Sequence, residues 1–172
     1  MRWRPMRADD LPAVHRIGNE VYPPPLHESL EAVRSRLAFG ADFSFVLAAG
    51  AQVRGYLAGH PWDESIPPLN RVLAPPARGS RAFLHDLALL PAARGSGAAR
   101  EGVARFLARA RRHSGRAALV AVNASLPFWT RRGFRAAEAG ADLAAYGGDA
   151  VLMTWKAHHL PDHDVAGSRP AR

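Results

Sequence analysis

Apolar residues return every three or four positions between residues 11 and 21, at Leu11, Val14, Ile17 and Val21. That spacing predicts a helix with Asp9 or Asp10 as its N-cap. A short strand over Arg2 to Met6 precedes it, and Pro23, Pro24 and Pro25 end it. A second helix is expected from about Glu28 to Phe39, with Leu30, Val33 and Leu37 on one face and Gly40 as its stop. The period then changes. FSFVLAA and QVRGYLAG read as two strands joined by a tight turn at Gly50 and Ala51. The stretch from His60 to Arg81 is rich in proline and has no steady period, so it reads as a long loop of the kind that carries function.

A strand is expected over Ala82 to Leu90. After Pro91 come Arg94, Gly95, Ser96 and Gly97, and a helix begins at once. Ala99, Val103, Phe106, Leu107 and Ala110 mark its inner face; Arg100, Arg105, Arg109 and Arg112 mark its outer one. RAALVAV, running up to Asn123, suits a buried strand. SLPFWTRRG suits a short helix with Pro127 in its first turn and Gly133 as stop. FRAAE and AVLMTWKA complete the strands. No repeat or boundary divides residues 1–157, which read as one domain, and residues 158–172 read as a polar tail. Alternating strands and helices argue for an α/β (α+β) domain with a mixed sheet.

Composition narrows the classes. The chain of 172 residues has a net charge of +8, and Lys156 is its only lysine. Its many arginines accompany a general richness in Ala, Gly and Pro, so the charge reads as compositional bias. The ARARRH run lacks interleaved aromatic residues for base stacking, and no nucleic-acid partner is expected. The absence of cysteine excludes disulfides, thiolate metal sites and a cysteine nucleophile. No apolar run is long enough to span a bilayer, and the N-terminus has no h-region. A cytoplasmic protein without a membrane partner is therefore expected. His158, His159, Asp162 and His163 match no known ligand spacing, and no metal is expected.

The glycine loop is the most informative stretch. A helix N-terminus offers free N–H groups and the positive end of its dipole, and glycine lets a ligand approach closely. Arg94, Gly95, Ser96, Gly97, Ala98 and Ala99 thus form a candidate cradle for a phosphate or pyrophosphate. A P-loop is excluded because Ala98 follows Gly97. A dinucleotide loop fits poorly. Arg100 stands where glycine or alanine is needed, and the next strand leads into Asn123, not an acid.

LALLPAARGSGAA resembles motif A of the GCN5-related N-acetyltransferases, Arg/Gln-x-x-Gly-x-Gly/Ala, with Arg94, Gly97 and Ala99 at those positions. VNASLPFWTRRGF resembles motif B through Asn123, Phe128, Gly133 and Phe134. The resemblance implies a mixed twisted sheet of about six to seven strands flanked by about four helices, with the fourth and fifth strands splayed. It also implies acetyl-CoA as co-substrate. The pantetheine arm would pair with the backbone along Leu87, Ala88 and Leu89, and N–H groups from Gly95 to Ala99 would hold the pyrophosphate. Asn123, Phe128 and Trp129 would contact the arm.

LHDLALLP is most similar to the arylalkylamine N-acetyltransferases, which carry a histidine at the place of His85; GHPWDES resembles a loop of their amine pocket. The implied activity is acetyl transfer to the primary amine of a small molecule by direct attack. A coenzyme A-binding protein without turnover and a dinucleotide-binding module are the alternatives. His85 is the candidate base, because imidazole changes charge near neutral pH. Alternation places Phe83, His85 and Leu87 on one face and Asp86 on the other. Tyr22, Glu28, Trp62 and Phe83 are candidate acceptor residues, and Glu28, Asp63 and Glu64 are candidate partners for its ammonium. Motif B usually supplies a tyrosine as acid where this chain has Trp129, whose indole does not titrate. The thiolate then leaves unaided, or a water or Ser125 serves. Oligomeric state is left open.

Overall fold

Two-residue periodicity in the first half of the chain becomes an antiparallel meander. The computed structural model describes residues 1–137 and 142–157. Strands β1 (Arg2–Pro5), β2 (Phe45–Ala49), β3 (Gln52–Trp62) and β4 (Arg81–Leu89) pair in turn. Beyond β4 lie β5 (Arg116–Ala121), β7 (Val151–Lys156) and β6 (Arg135–Ala136), in that order across one seven-stranded sheet. Only the β4–β5 contact is parallel.

Helix α1 (Leu11–Val21) and helix α2 (Leu30–Gly40) cover one face, where Leu11, Val14, Ile17 and Val33 pack on Val46, Tyr56 and Ala88. Helix α3 (Ala98–His113) covers the other with Val103, Phe106 and Ala110, against Phe43, Leu84 and Leu119. Full burial of a side chain such as Phe106 stabilises by about 1.5–3 kcal/mol. Helix α4 (Leu126–Thr130) is short, with Pro127 in its first turn, and the chain leaves it through Gly133 at φ +84°.

Several boundaries differ from the sequence reading. Asp10 does not cap α1. Its carboxylate accepts from the Arg7 N–H at 2.9 Å and from Arg4 Nη1 at 2.7 Å. Ser29 caps α2 instead, its Oγ accepting from the Ala32 N–H at 3.2 Å. Gly40 is the last residue of α2, as expected, but at φ −113°, and a Cβ there would collide with the Gly59 carbonyl. Close packing of helix on strand requires it, not a left-handed turn. β3 continues through His60 and Pro61 to Trp62, so GHPW is strand and only the segment after it is loop. The candidate ligands in the tail lie outside the described residues.

Candidate active site

β4 and β5 pair only at Ala82–Ala117 and Phe83–Ala118. From Leu84 onward they diverge, which leaves a cleft of about 880 Å³ beside the free edge of β4. The splay expected between these strands is present. One end of the cleft meets the glycine loop, and the other meets the α1–α2 connection and Tyr146.

At the first end, Pro91–Ala93 form one 3-10 turn and α3 begins at Ala98. Gly95 (φ +74°) and Gly97 (φ +81°) supply the left-handed positions between them. A Cβ on Gly95 would meet nothing within 4 Å, so the loop's surface is open. Among the described residues, no backbone carbonyl accepts from the N–H groups of Gly95, Ser96 or Gly97. The Ser96 hydroxyl is spent inside the loop, donating to the Ala93 carbonyl at 2.9 Å and accepting from the Ala98 N–H. Arg94 Nε donates to the Leu89 carbonyl at 3.0 Å and ties the loop to β4. Ala99 lines the cleft, whereas the Ala98 side chain is buried.

Ladder alternation sorts the three β4 positions. Leu87 and Leu89 turn their backbone groups into the gap, where Tyr22 and Arg94 reach them. Ala88 pairs with Tyr56 and faces β3, and its side chain packs under α1. The expectation that Ala88 joins Leu87 and Leu89 along the arm is corrected on that ground. Asn123 (φ +53°), Phe128 and Trp129 line the opposite wall. Trp129 Nε1 donates to Ser125 Oγ at 3.1 Å, so the indole N–H is already engaged.

The floor holds the main departure from alternation. Ala58 opposes Asp86 and Gly59 opposes Leu84, so His85 is the extra residue of a β-bulge. The bulge resets the faces. Leu87 packs with Leu84 and Leu89 on the α3 side, while Phe83 packs with Trp62 and Ala118 in a separate cluster. Asp86, expected to point away from His85, instead joins it. Donor atoms of Glu28, His85 and Asp86 lie within 4.8 Å of one another.

Arg36 organises this group. Its guanidinium grips both Glu28 oxygens, with Nη1 to Oε1 at 2.8 Å, and Nη2 lies 3.9 Å from Asp86 Oδ2. The Asn70 N–H also donates to Glu28 Oε1 at 2.8 Å, and His85 Nε2 stands 3.5 Å from it. A metal would need the Glu28 oxygens that Arg36 already holds, so the cluster fits an ion-pair network. Burial would raise the Glu28 carboxyl, but His85 and Arg36 hold it well below the usual carboxylate range. Burial and then the Glu28 charge raise Asp86. His60, fully buried beside His85, is lowered to about 3, chiefly by burial.

The acceptor candidates divide. Tyr22 lines the cleft. Glu28 does not; its oxygens are saturated by Arg36 and Asn70. Trp62 and Phe83 are core, Trp62 packing on Phe39 and His60 with Nε1 bonded to Ser65. Asp63 bonds to Ser65, and Glu64 pairs with Arg81 and Arg116. Leu26, Leu69 and Tyr146 form the wall that sequence reasoning missed. The Tyr146 hydroxyl donates to the Pro67 carbonyl at 2.6 Å and pins the long loop over the cleft. Arg36 was legible only as a basic residue three positions after Val33, on the inner stripe of α2.

No curated protein sequence matches the chain significantly. Solved structures match its fold. Ard1 from Thermoplasma volcanium superposes with a TM-score of 0.70 at 15% identity, over 91% of this chain and 97% of that one. Rv2747 from Mycobacterium tuberculosis, in complex with CoA and NLQ, gives 0.66 at 17%, over 91% and 99%. A GNAT family acetyltransferase from Elizabethkingia anophelis with acetyl-CoA bound gives 0.63 at 13%, over 90% and 97%. The family model for the acetyltransferase (GNAT) family matches residues 11–134, a span that holds both helices over the bulge, the splayed edge of β4, the glycine loop and α4. With that match over most of its length, the chain belongs to the acetyltransferase (GNAT) family.

Proposed function

We propose that the protein transfers the acetyl group of acetyl-CoA to the primary amine of a small molecule by direct attack. One observation carries the reading. The free β4 edge at Leu87 and Leu89 runs from an open glycine loop to a bulge where His85 and Asp86 border the same cleft, the His85 side chain itself being 1% exposed. The CoA and acetyl-CoA bound in solved relatives of the same fold support that choice of co-substrate.

The pyrophosphate rests on the N–H groups of Gly95 to Ala99, where the α3 dipole favours an anion. The arm runs along Leu87 and Leu89, with Asn123, Phe128 and Trp129 on its far side. The acetyl group then lies near the bulge. The acceptor enters between Tyr22, Leu26, Leu69 and Tyr146, an apolar wall that suits an amine with an aromatic or aliphatic body. Among the described residues, Arg94, at the glycine loop, is the only basic side chain besides His85 that lines the cleft.

His85 takes the proton. Its Nε2 faces the Glu28 carboxylate, which favours the tautomer protonated on that nitrogen and leaves Nδ1 as the base. Arg36 fixes Glu28, so α2 orients the imidazole without touching substrate. Asp86 accepts a hydrogen bond from the incoming amine. The Leu87 N–H donates to the carbonyl oxygen as negative charge grows there.

The test is thioester consumption with 2-phenylethylamine, tryptamine and 1,4-diaminobutane, with the product mass measured. N-acetylated product and thermal protection by acetyl-CoA are expected. Protection without product with any amine makes this a coenzyme A-binding protein instead. Equal protection by NAD points to a dinucleotide module.

A further inference from the structure

Motif B usually presents a tyrosine hydroxyl to the cleft where this chain has Trp129, yet the cleft does hold a hydroxyl at its reactive end. Four side-chain hydroxyls compete for that role. Ser125 Oγ accepts from the Trp129 indole. The Tyr146 hydroxyl is turned to the Pro67 carbonyl. Tyr56 is buried between α1 and the sheet and does not line the cleft. Tyr22 alone reaches the free β4 edge. Its oxygen accepts from the Leu87 N–H at 3.2 Å and donates to the Leu87 carbonyl at 3.1 Å. It is also held from behind. Its own N–H donates to the Gly18 carbonyl at 2.9 Å, and its carbonyl is 2.8 Å from His27 Nε2.

We propose that Tyr22 is a catalytic residue whose O–H, beside the Leu87 N–H, donates to the thioester carbonyl oxygen during acetyl transfer. The inference rests on the acetyltransferase reading above. The Tyr22 oxygen accepts from the Leu87 N–H at 3.2 Å, the same donor that the thioester carbonyl oxygen would use. When the carbonyl oxygen takes the Leu87 N–H, Tyr22 loses that donor, keeps its proton and shifts aside to donate to the carbonyl oxygen. The proton then turns from a neutral amide carbonyl to an oxygen gaining negative charge. Charge-assisted bonds are roughly twice as strong as neutral ones, so the contact strengthens as the transition state forms.

The step balances without another reactant. The amine nitrogen attacks the carbonyl carbon, and the π pair moves onto oxygen, where both donors hold it. The C=O bond re-forms as the C–S pair leaves on sulfur, and the proton of the attacking nitrogen passes to His85. Tyr22 stays protonated throughout. Burial first, and then the Asp86 charge, push its phenol well above the ordinary range, so it remains a donor across any assay pH.

Two measurements on Tyr22→Phe decide the matter, since phenylalanine keeps the ring and removes only the hydroxyl. Acetyl-CoA labelled with carbon-13 at the thioester carbonyl is bound to each protein without amine, and the carbonyl stretch is read by difference infrared. The wild type should show a larger red shift than Tyr22→Phe. Turnover with 2-phenylethylamine should fall about 10²–10³-fold in kcat, the loss typical of one oxyanion donor, with KM for acetyl-CoA unchanged or lower. An equal stretch in both proteins, or an unchanged kcat with tighter acetyl-CoA binding, overturns the inference, because Tyr22 would then only bond to the Leu87 backbone. Failure of acetyl-CoA to bind either protein overturns the acetyltransferase reading, and this inference with it.

Discussion

Arg36 Nη1 donates to Glu28 Oε1 at 2.8 Å, and that same oxygen stands 3.5 Å from His85 Nε2. Arg36 is 2% exposed although it belongs to a helix whose outer face is solvated. A guanidinium is tolerated there because the Glu28 fork matches it bidentately and Asp86 adds a second carboxyl nearby.

The arrangement separates stability from orientation. Arg36→Met leaves Glu28 buried without its partner and should cost about 3–5 kcal/mol. The double change Arg36→Met with Glu28→Gln removes both charges and should recover most of that loss. Turnover should stay low in the double variant, since nothing then orients His85. Urea midpoints and kcat on the three proteins check this. Recovery of stability and kcat together would remove Glu28 from the mechanism.

His60 gives the fold a pH dependence of its own. Its folded value is about 3 against about 6.5 for an unperturbed histidine, with burial as the main cause and His85 next. The facing groups are His85, Arg36, Glu28 and the Pro61 carbonyl. Between these two values the unfolded chain binds a proton that the folded chain refuses. Stability is therefore full above about pH 6.5 and falls as pH drops, by about 2 kcal/mol at pH 5. The depressed Glu28 carboxyl acts in a lower window, below the ordinary carboxylate range, so the two separate. His60→Leu should lose most of the change between pH 7 and 5. A variant that keeps the full drop assigns it to other groups.

α3, the flanking strands and the cleft's two motifs were legible because each rests on local chemistry: apolar spacing along Val103, Phe106 and Ala110, and glycines at positive φ just before a helix. The bulge at His85 was not. Strict alternation is the simplest expectation for a strand, and one inserted residue moves every later side chain to the other face. That single shift misplaced Asp86 and Leu87 relative to His85, whereas Phe83, ahead of the insertion, keeps its ring 6.1 Å from the His85 ring. The burial of Arg36 against Glu28 was hidden for another reason. Charged residues near a helix start read as solvated, and their burial depends on partners from β4 and from Asn70 in a loop about forty residues away. Trp62 was hidden by Pro61, which reads as loop but occupies a register position opposite Ala82.

The glycine loop can be tested apart from chemistry. Acetyl-CoA at a hundredfold excess over its Kd should add about 2.7 kcal/mol to stability. Gly97→Val should abolish that gain if the loop holds the pyrophosphate, because a side chain would then crowd the bare backbone just ahead of α3. The variant also bears strain of about 1–2 kcal/mol from its left-handed backbone. Gly50→Val is the control, since Gly50 has φ +59° with nothing near its Cβ and lies in the β2–β3 turn. Both variants should melt lower, but only Gly97→Val should lose the response to acetyl-CoA. A retained response in Gly97→Val places the pyrophosphate elsewhere.

Trp129→Tyr asks whether the residue that breaks the motif limits the rate. The indole is 7% exposed, meets Phe128 and Phe134 edge-on, and donates to Ser125. Tyrosine is smaller and leaves Ser125 Oγ without that donor, so a loss of about 1–3 kcal/mol is expected, the range of ordinary core changes. A thiol of pKa about 8.5 yields a leaving group of modest basicity, which departs without a dedicated acid. Turnover of the variant at neutral pH should therefore stay level or fall, and the wild type should show no basic limb from a phenol. Full profiles of kcat against pH with 2-phenylethylamine test both statements. A variant that turns over faster and gains a limb near pH 10 would show that protonation of sulfur is rate-limiting here. Loss of stability with an unchanged profile leaves Trp129 as a wall of the arm's channel, and the oxygen end of the thioester, at Leu87, as the place where this protein lowers the barrier.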